Sequence, residues 1–165
     1  MSETANPFEG RLRARACGLV VQQGRLLLVK INSPTRAEPF WMPPGGGISF
    51  REEAEAAVER ELLEETGLTV RAAEPVFISE YISGRWHALE FYFRCTLLSG
   101  KIKLGHDPEM SPSKQMLQDI GWFSPDEISQ MPVFPVFVKE AARSLTANGV
   151  LPLRFIKQQP HTSSS

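Results

Sequence analysis

The spacing of apolar residues changes along the chain and predicts where strands lie. Residues 11–16 alternate arginine with apolar side chains, an apolar run follows to residue 21, and a Gln-Gln-Gly turn leads into the apolar stretch 25–31. This pattern predicts two successive strands. Residues 86–98 alternate again and predict a strand with one face in the core and Glu90 on a polar face.

Helical signals occur at three places. Ser49 and Glu52 have the spacing of a capping box and Gly67 offers a left-handed stop, which predicts a helix over 50–65. Ser124 begins a second capping box, and apolar residues from 134 to 145 recur at helical spacing.

Residues 32–47 are rich in proline and glycine. This composition predicts a loop with at most short extended pieces around Phe40 and Trp41.

The predicted helix at 50–65 is unusually rich in glutamate. At about 100° per residue, Glu61, Glu64 and Glu65 project from one face within one turn. Clustered carboxylates suit a hard divalent ion such as Mg²⁺, which leaves positions for water and phosphate oxygens. The spacing therefore predicts a site for metal and phosphate.

A solvated helix face would explain the same glutamates. The glycines at 45–47 favour the metal site, because a backbone without side chains lets a phosphate or metal approach closely. A P-loop would also explain the glycines, but its Gly-Lys-Ser/Thr ending is missing.

The pattern Gly46-x5-Glu52-x7-Arg60-Glu61-Leu62-x-Glu64-Glu65-x-Gly67-Leu68 matches the complete Nudix box. The chain thus resembles the Nudix hydrolase family over about residues 12–149. The resemblance implies an α/β fold, an α/β/α sandwich around a central mixed sheet. We expect residues 1–165 to form a single domain whose ends fray.

The resemblance also implies roles for individual residues. Mg²⁺ or Mn²⁺ would be the cofactor, held by Glu61, Glu64, Glu65 and the carbonyl of Gly45. Arg60 would pair with Glu52 and thereby orient Glu61. The predicted catalytic residues are Glu61, Arg60 and Glu64.

The sequence leaves more than one candidate for the general base. We favour Glu61, while Glu90, Asp107 and Glu109 remain alternatives. A carboxylate such as Glu90 is unexpected on a strand unless it meets a cation.

Candidate residues for substrate contact are Gly46, Gly47, Trp41 and Glu90, because bare backbone approaches phosphates and aromatic rings stack on bases. Tyr81, Arg85 and Trp86 are further candidates. The arginines in 11–15 mark an exposed strand edge, or else a strip for phosphates or for a homodimer contact.

Composition limits the partners of the chain. A length of 165 residues suits one domain, and a formal net charge of −1 gives no global attraction to nucleic acid polymers or to a membrane surface. Two cysteines are too few for a disulfide framework, and no secretion signal or membrane span is evident. We therefore expect a cytoplasmic protein, and the resemblance implies that it is an enzyme acting on a nucleotide derivative.

The expected reaction is cleavage of the diphosphate in a nucleoside diphosphate linked to another moiety. Nucleoside triphosphates, ADP-ribose and nucleotide sugars all remain candidate substrates. A Nudix-like module that senses a nucleotide without hydrolysing it is one alternative, and an acidic helix that docks a basic protein is another.

Overall fold

A computed structural model of the chain describes residues 8–33, 36–106, 116–147 and 149–158. Within these ranges the chain forms eight strands and three helices. In chain order these are β1 Leu12–Gln22, β2 Arg25–Ile31, β3 Phe40–Met42, β4 Gly45–Gly47, α1 Ala54–Thr66, β5 Thr69–Ser83, β6 Trp86–Ser99, β7 Leu117–Phe123, α2 Pro125–Gln130, α3 Val136–Thr146 and β8 Arg154–Gln158.

The strands form one mixed sheet. Its main order is β3-β2-β1-β6-β5-β8, while β4 pairs with β1 and β7 pairs with β2. The pairs β1–β6 and β5–β8 are parallel, and the other pairs are antiparallel. The predicted mixed sheet is confirmed.

The alternation of side chains along β1 builds a core on each face of the sheet. Ala16 and Val20 pack in one cluster with the buried residues of α1, including Leu62. Cys17 and Leu19 point to the other face and pack in a second cluster with residues of α2 and α3. Since helices cover both faces, the predicted α/β/α sandwich is confirmed.

Strand β1 is central, so the prediction that its arginines mark an exposed edge is wrong. Arg15 is opposite Glu90 of β6 on one side and Gly47 of β4 on the other. The polar face predicted for β6 is also wrong, because Glu90 is only 6% exposed and Tyr92 is fully buried. The alternating sequence of β6 predicts that only one face of this strand is buried, but the structure packs other elements against both of its faces.

Helix α1 begins at Ala54, four residues after its predicted start. Arg51 has a φ of +68°, a left-handed conformation that interrupts the helix before it can include Ser49. The Ser49 backbone N–H still donates to Glu52 (2.9 Å), but Glu53 holds the N-cap position and its side chain makes no capping hydrogen bond. The predicted first capping box therefore forms a turn ahead of the helix.

The other helix signals are confirmed. Gly67 ends α1 with a φ of +73°, and Ser124 and Glu127 form a complete capping box at α2. None of the helices in the described ranges is long and apolar enough to cross a membrane.

Two elements were not predicted. The glycines at 45–47 form β4, because β1 offers them a pairing edge along Arg15–Cys17. Strand β8 lies beyond residue 149, where the sequence predicts no element, and extends the sheet by pairing with β5.

Candidate active site

The glycine strand β4 and helix α1 meet at the side chain of Glu61. A Cβ atom added to Gly46 would lie 2.4 Å from the Glu61 carboxyl carbon, closer than real Cβ contacts come. Only glycine therefore lets the carboxylate rest against the strand backbone. On the opposite side of the strand, a Cβ on Gly45 would lie 2.3 Å from the carbonyl oxygen of Ala16.

Arg60 connects the carboxylates of this region. Its guanidinium donates two hydrogen bonds to Glu52 (2.7 and 3.0 Å), one to Glu61 (2.8 Å) and a longer one to Glu64 (3.3 Å). It also donates to the carbonyl oxygen of Gly47 (3.1 Å), which ties the helix to the glycine strand. One planar, rigid cation thus orients three carboxylates.

The pairing with Arg60 changes the titration of Glu52. Hydrogen bonds from Arg60 favour the ionised carboxylate and lower the pKa of Glu52 from 4.5 to about 2. The same bond to Glu52 raises the pKa of Arg60 above its ordinary value. Both groups therefore stay charged throughout the neutral range.

Glu65 lies on the other side of the cluster. Its carboxylate accepts a hydrogen bond from the backbone N–H of Gly45 (3.0 Å). Together with the contact of Glu61 against Gly46, this bond brings two of the three predicted metal ligands to consecutive glycines of one strand.

The donor set fits a hard divalent cation. Three carboxylates, those of Glu52, Glu61 and Glu64, pair with the guanidinium of Arg60, and Glu65 accepts from the Gly45 N–H, so negative charge is in excess. Among the residues that the structure describes, no group of three His, Cys, Asp or Glu side chains is already arranged as a metal site. In the structure, Arg60 donates hydrogen bonds to two of the three predicted metal ligands, Glu61 and Glu64.

Glu90 lies in a separate, buried polar cluster. Arg15 donates to one of its carboxylate oxygens (2.7 Å), and Gln158 donates to the other (3.0 Å). Gln158 also donates to the buried hydroxyl of Ser79 (2.5 Å). The cation that a strand carboxylate requires is therefore Arg15, and both oxygens of Glu90 are engaged.

Sequence reasoning missed most of this polar cluster. It assigned Arg15 to an exposed edge and did not single out Ser79 or Gln158. A glutamate in an otherwise apolar strand was the available signal, but nothing local identifies a partner 75 residues away.

Two further predicted residues, Trp41 and Arg85, have partners outside this group of carboxylates. Trp41 of β3 packs edge-on against Phe123 (4.7 Å between ring centroids) beside one of the two cores. Arg85 pairs with Glu9 (3.2 Å). Asp107 and Glu109 lie outside the described residues.

The sequence of the chain matches a known protein family. The model of the NUDIX domain matches residues 10–145. The chain therefore belongs to the NUDIX family.

Particular relatives include an ADP-ribose pyrophosphatase of Methanocaldococcus jannaschii, which is 32% identical over 93 residues. That alignment covers 54% of either chain, so the match spans about half the length of this relative.

Solved structures share the fold. A NUDIX hydrolase from Nitrosomonas europaea has a TM-score of 0.68 and 21% identity, with 86% of this chain and 93% of that chain covered. A MutT NUDIX hydrolase from Burkholderia pseudomallei has a TM-score of 0.62 and 23% identity, with 82% and 98% covered. At these identities the likeness is one of fold.

Replacing Gly45 with alanine should destabilise the protein by about 1–3 kcal/mol, because the added Cβ would lie 2.3 Å from the backbone carbonyl oxygen of Ala16 in the neighbouring strand. Gly47→Ala is the matched control, since its Cβ would have Arg13 Nη2 at 3.9 Å as its nearest neighbour. Urea unfolding of both variants measures the difference. Equal stabilities would contradict the close backbone contact at Gly45.

The Glu52–Arg60 pair should make stability depend on pH in acid. Because the folded state lowers the pKa of Glu52 to about 2, the pair contributes fully above pH 4.5 and loses its contribution as the pH falls towards 2. Glu52→Gln should therefore be less stable than the wild type at pH 7, with a gap that closes near pH 2. The exposed Glu55→Gln should show no such trend. A difference in unfolding free energy between Glu52→Gln and the wild type that stays constant from pH 7 to pH 2 would contradict the lowered pKa of Glu52.

Proposed function

We propose that the protein is a divalent-metal-dependent hydrolase that cleaves the diphosphate of a nucleoside diphosphate linked to another moiety. The observation that carries this proposal is the placement of Glu61 and Glu65 against consecutive glycines of β4, with Arg60 donating hydrogen bonds to Glu61 and Glu64.

In the proposed enzyme, Glu61, Glu64 and Glu65 hold Mg²⁺ or Mn²⁺. When bound, such an ion neutralises phosphate oxygens and lowers the pKa of a coordinated water. The carbonyl of Gly45 is a further proposed ligand. Its strand neighbours Gly46 and Gly47 present bare backbone, which lets a diphosphate approach without steric hindrance from side chains.

Arg60 acts as a positioning residue in this proposal. It is fixed by Glu52 and by the Gly47 carbonyl, and it directs Glu61 towards the glycine strand. Since the pKa of Glu52 is lowered to about 2, Glu52 stays ionised and keeps Arg60 in place at neutral and mildly acidic pH.

We favour Glu61 as the general base. It lies against Gly46, where the diphosphate is proposed to bind. Both oxygens of Glu90 already accept hydrogen bonds, from Arg15 and Gln158, so proton abstraction by Glu90 would have to break a buried ion pair.

One substrate class takes priority on the basis of a named relative. The name of the Methanocaldococcus jannaschii relative puts ADP-ribose first among the candidate substrates. Among the described residues, no contact favours the alternative that the protein senses a nucleotide without hydrolysing it.

Glu64→Gln should lower turnover of the best substrate at least about 100-fold, because it removes a negative charge from the proposed metal set while keeping the side-chain volume. Glu140→Gln on the exposed surface of α3 is the control. Turnover is measured by chromatography of the nucleotide products formed from ADP-ribose, nucleoside triphosphates, dinucleoside polyphosphates and nucleotide sugars with Mg²⁺, and thermal melts verify that each variant folds. Full turnover in Glu64→Gln would refute its role.

A further inference from the structure

The last turn of α1 carries Glu64 and Glu65 at the end of the helix where acidic residues are least favourable. The C-terminal end of a helix has a partial negative charge, and in the described helix the last turn contains no basic residue. The carbonyl groups of this turn also have no partners within the helix. The turn would therefore fray unless groups from elsewhere in the chain held it.

Residues 101–105, which follow β6, supply partners for this turn. The backbone N–H of Lys103 donates a hydrogen bond to the carbonyl of Thr66 (2.9 Å). The backbone N–H of Gly105 donates to the carbonyl of Glu65 (2.8 Å). The segment thus engages two carbonyl groups at the end of the helix, one of them on a proposed metal ligand.

Gly105 is the residue at which this segment approaches the helix backbone most closely. A Cβ atom added to Gly105 would lie 1.8 Å from the carbonyl oxygen of Glu64 and 2.9 Å from the Cα of Glu65. Both neighbours are backbone atoms, so neither can rotate away as a side chain could. The hydrogen bond from Gly105 to Glu65 therefore requires glycine at position 105. Glu65 is held at a second point, because its carboxylate accepts from the Gly45 N–H (3.0 Å).

The segment 101–105 is itself fixed to the protein. Ile102 packs against the core cluster that includes Leu62 and Leu68. Lys101 and Lys103 are exposed and lie at the C-terminal end of α1, where positive charge is favourable. The segment therefore brings an apolar anchor, two hydrogen-bond donors and positive charge to a turn that has none of its own cations.

We infer that Gly105 is a positioning residue for the metal site, which holds the turn of α1 that carries Glu64 and Glu65. This inference rests on the proposed function. In it, Gly105 contacts neither the cation nor the substrate, and its effect passes through the backbone of the helix. Because coupling between two sites is reciprocal, a segment that favours metal binding must itself be stabilised when the metal binds.

The first test uses the unaltered chain and measures amide hydrogen exchange by NMR with and without Mg²⁺. Mg²⁺ should slow the exchange of the Lys103 and Gly105 amides at least about fivefold. The Gly149 amide, which donates to the carbonyl of Ser144 at the end of α3 (3.1 Å), is the control and should change less. Bound Mg²⁺ that slows Lys103 and Gly105 no more than Gly149 would overturn the inference.

The second test measures the Kd of Mn²⁺ by calorimetry, well below the melting temperature of each variant. Gly105→Ala should raise this Kd about tenfold, because the helix turn loses its hydrogen bond. Gly121→Ala is the matched control, since its Cβ would lie 2.8 Å from the ring of Phe123, which packs in the cluster on the other face of the sheet from α1. It should lower the melting temperature and leave the Kd unchanged.

The outcomes separate the two proposals. A wild type that binds neither Mg²⁺ nor Mn²⁺ would contradict the proposed function and the role of Gly105 together. Equal Mn²⁺ affinities of Gly105→Ala and the wild type would overturn the role of Gly105 alone. A chain in which Gly105→Ala weakens Mn²⁺ binding but the wild type hydrolyses no substrate would support the positioning role and contradict the hydrolase.

Discussion

The guanidinium of Arg60 is the interaction on which the candidate site depends. It joins Glu52, which lies before α1, to Glu61 and Glu64 within the helix and to the carbonyl of the glycine strand. Carboxylates this close repel one another, and a single planar cation reduces that repulsion while fixing their directions. The pairing is strong enough to keep Glu52 ionised to about pH 2. Without Arg60, the carboxylates of Glu52, Glu61 and Glu64 would lose the cation that they share.

The strand of glycines is the matching constraint on the backbone. Gly46 allows the Glu61 carboxylate to lie against the sheet, and the Gly45 N–H holds Glu65. The site is therefore built from one strand and one helix that follow each other in sequence, joined by a turn in which Arg51 has a positive φ. The opposite face of the same sheet is filled differently, with the buried pair Arg15–Glu90 and its partner Gln158. The carboxylates of α1 and the ion pair of Arg15 with Glu90 thus lie on opposite faces of the sheet.

Sequence predicted the parts of this arrangement that depend on local spacing. Helical periodicity places Glu61, Glu64 and Glu65 on neighbouring positions of α1, and the resemblance to the Nudix box supplied the Arg60–Glu52 pair that the structure shows. Contacts between distant elements were not predictable in this way. Strand β4 forms because it pairs with β1 along Arg15–Cys17, a stretch that β2 leaves unpaired on that side. The burial of Glu90 depends on Arg15 and on Gln158, which is 68 residues away from Glu90 in the sequence. The start of α1 was misplaced because the conformation of Arg51 is not readable from its residue type.

The central claim is that the carboxylates oriented by Arg60 hold a divalent ion beside the glycine strand. Anomalous diffraction from crystals of the full chain grown with Mn²⁺ tests it most directly. The account predicts a peak in contact with the carboxylates of Glu61, Glu64 and Glu65, next to Gly45. Mn²⁺ found elsewhere on the protein, with those carboxylates still bound only to Arg60 and the Gly45 N–H, would contradict it.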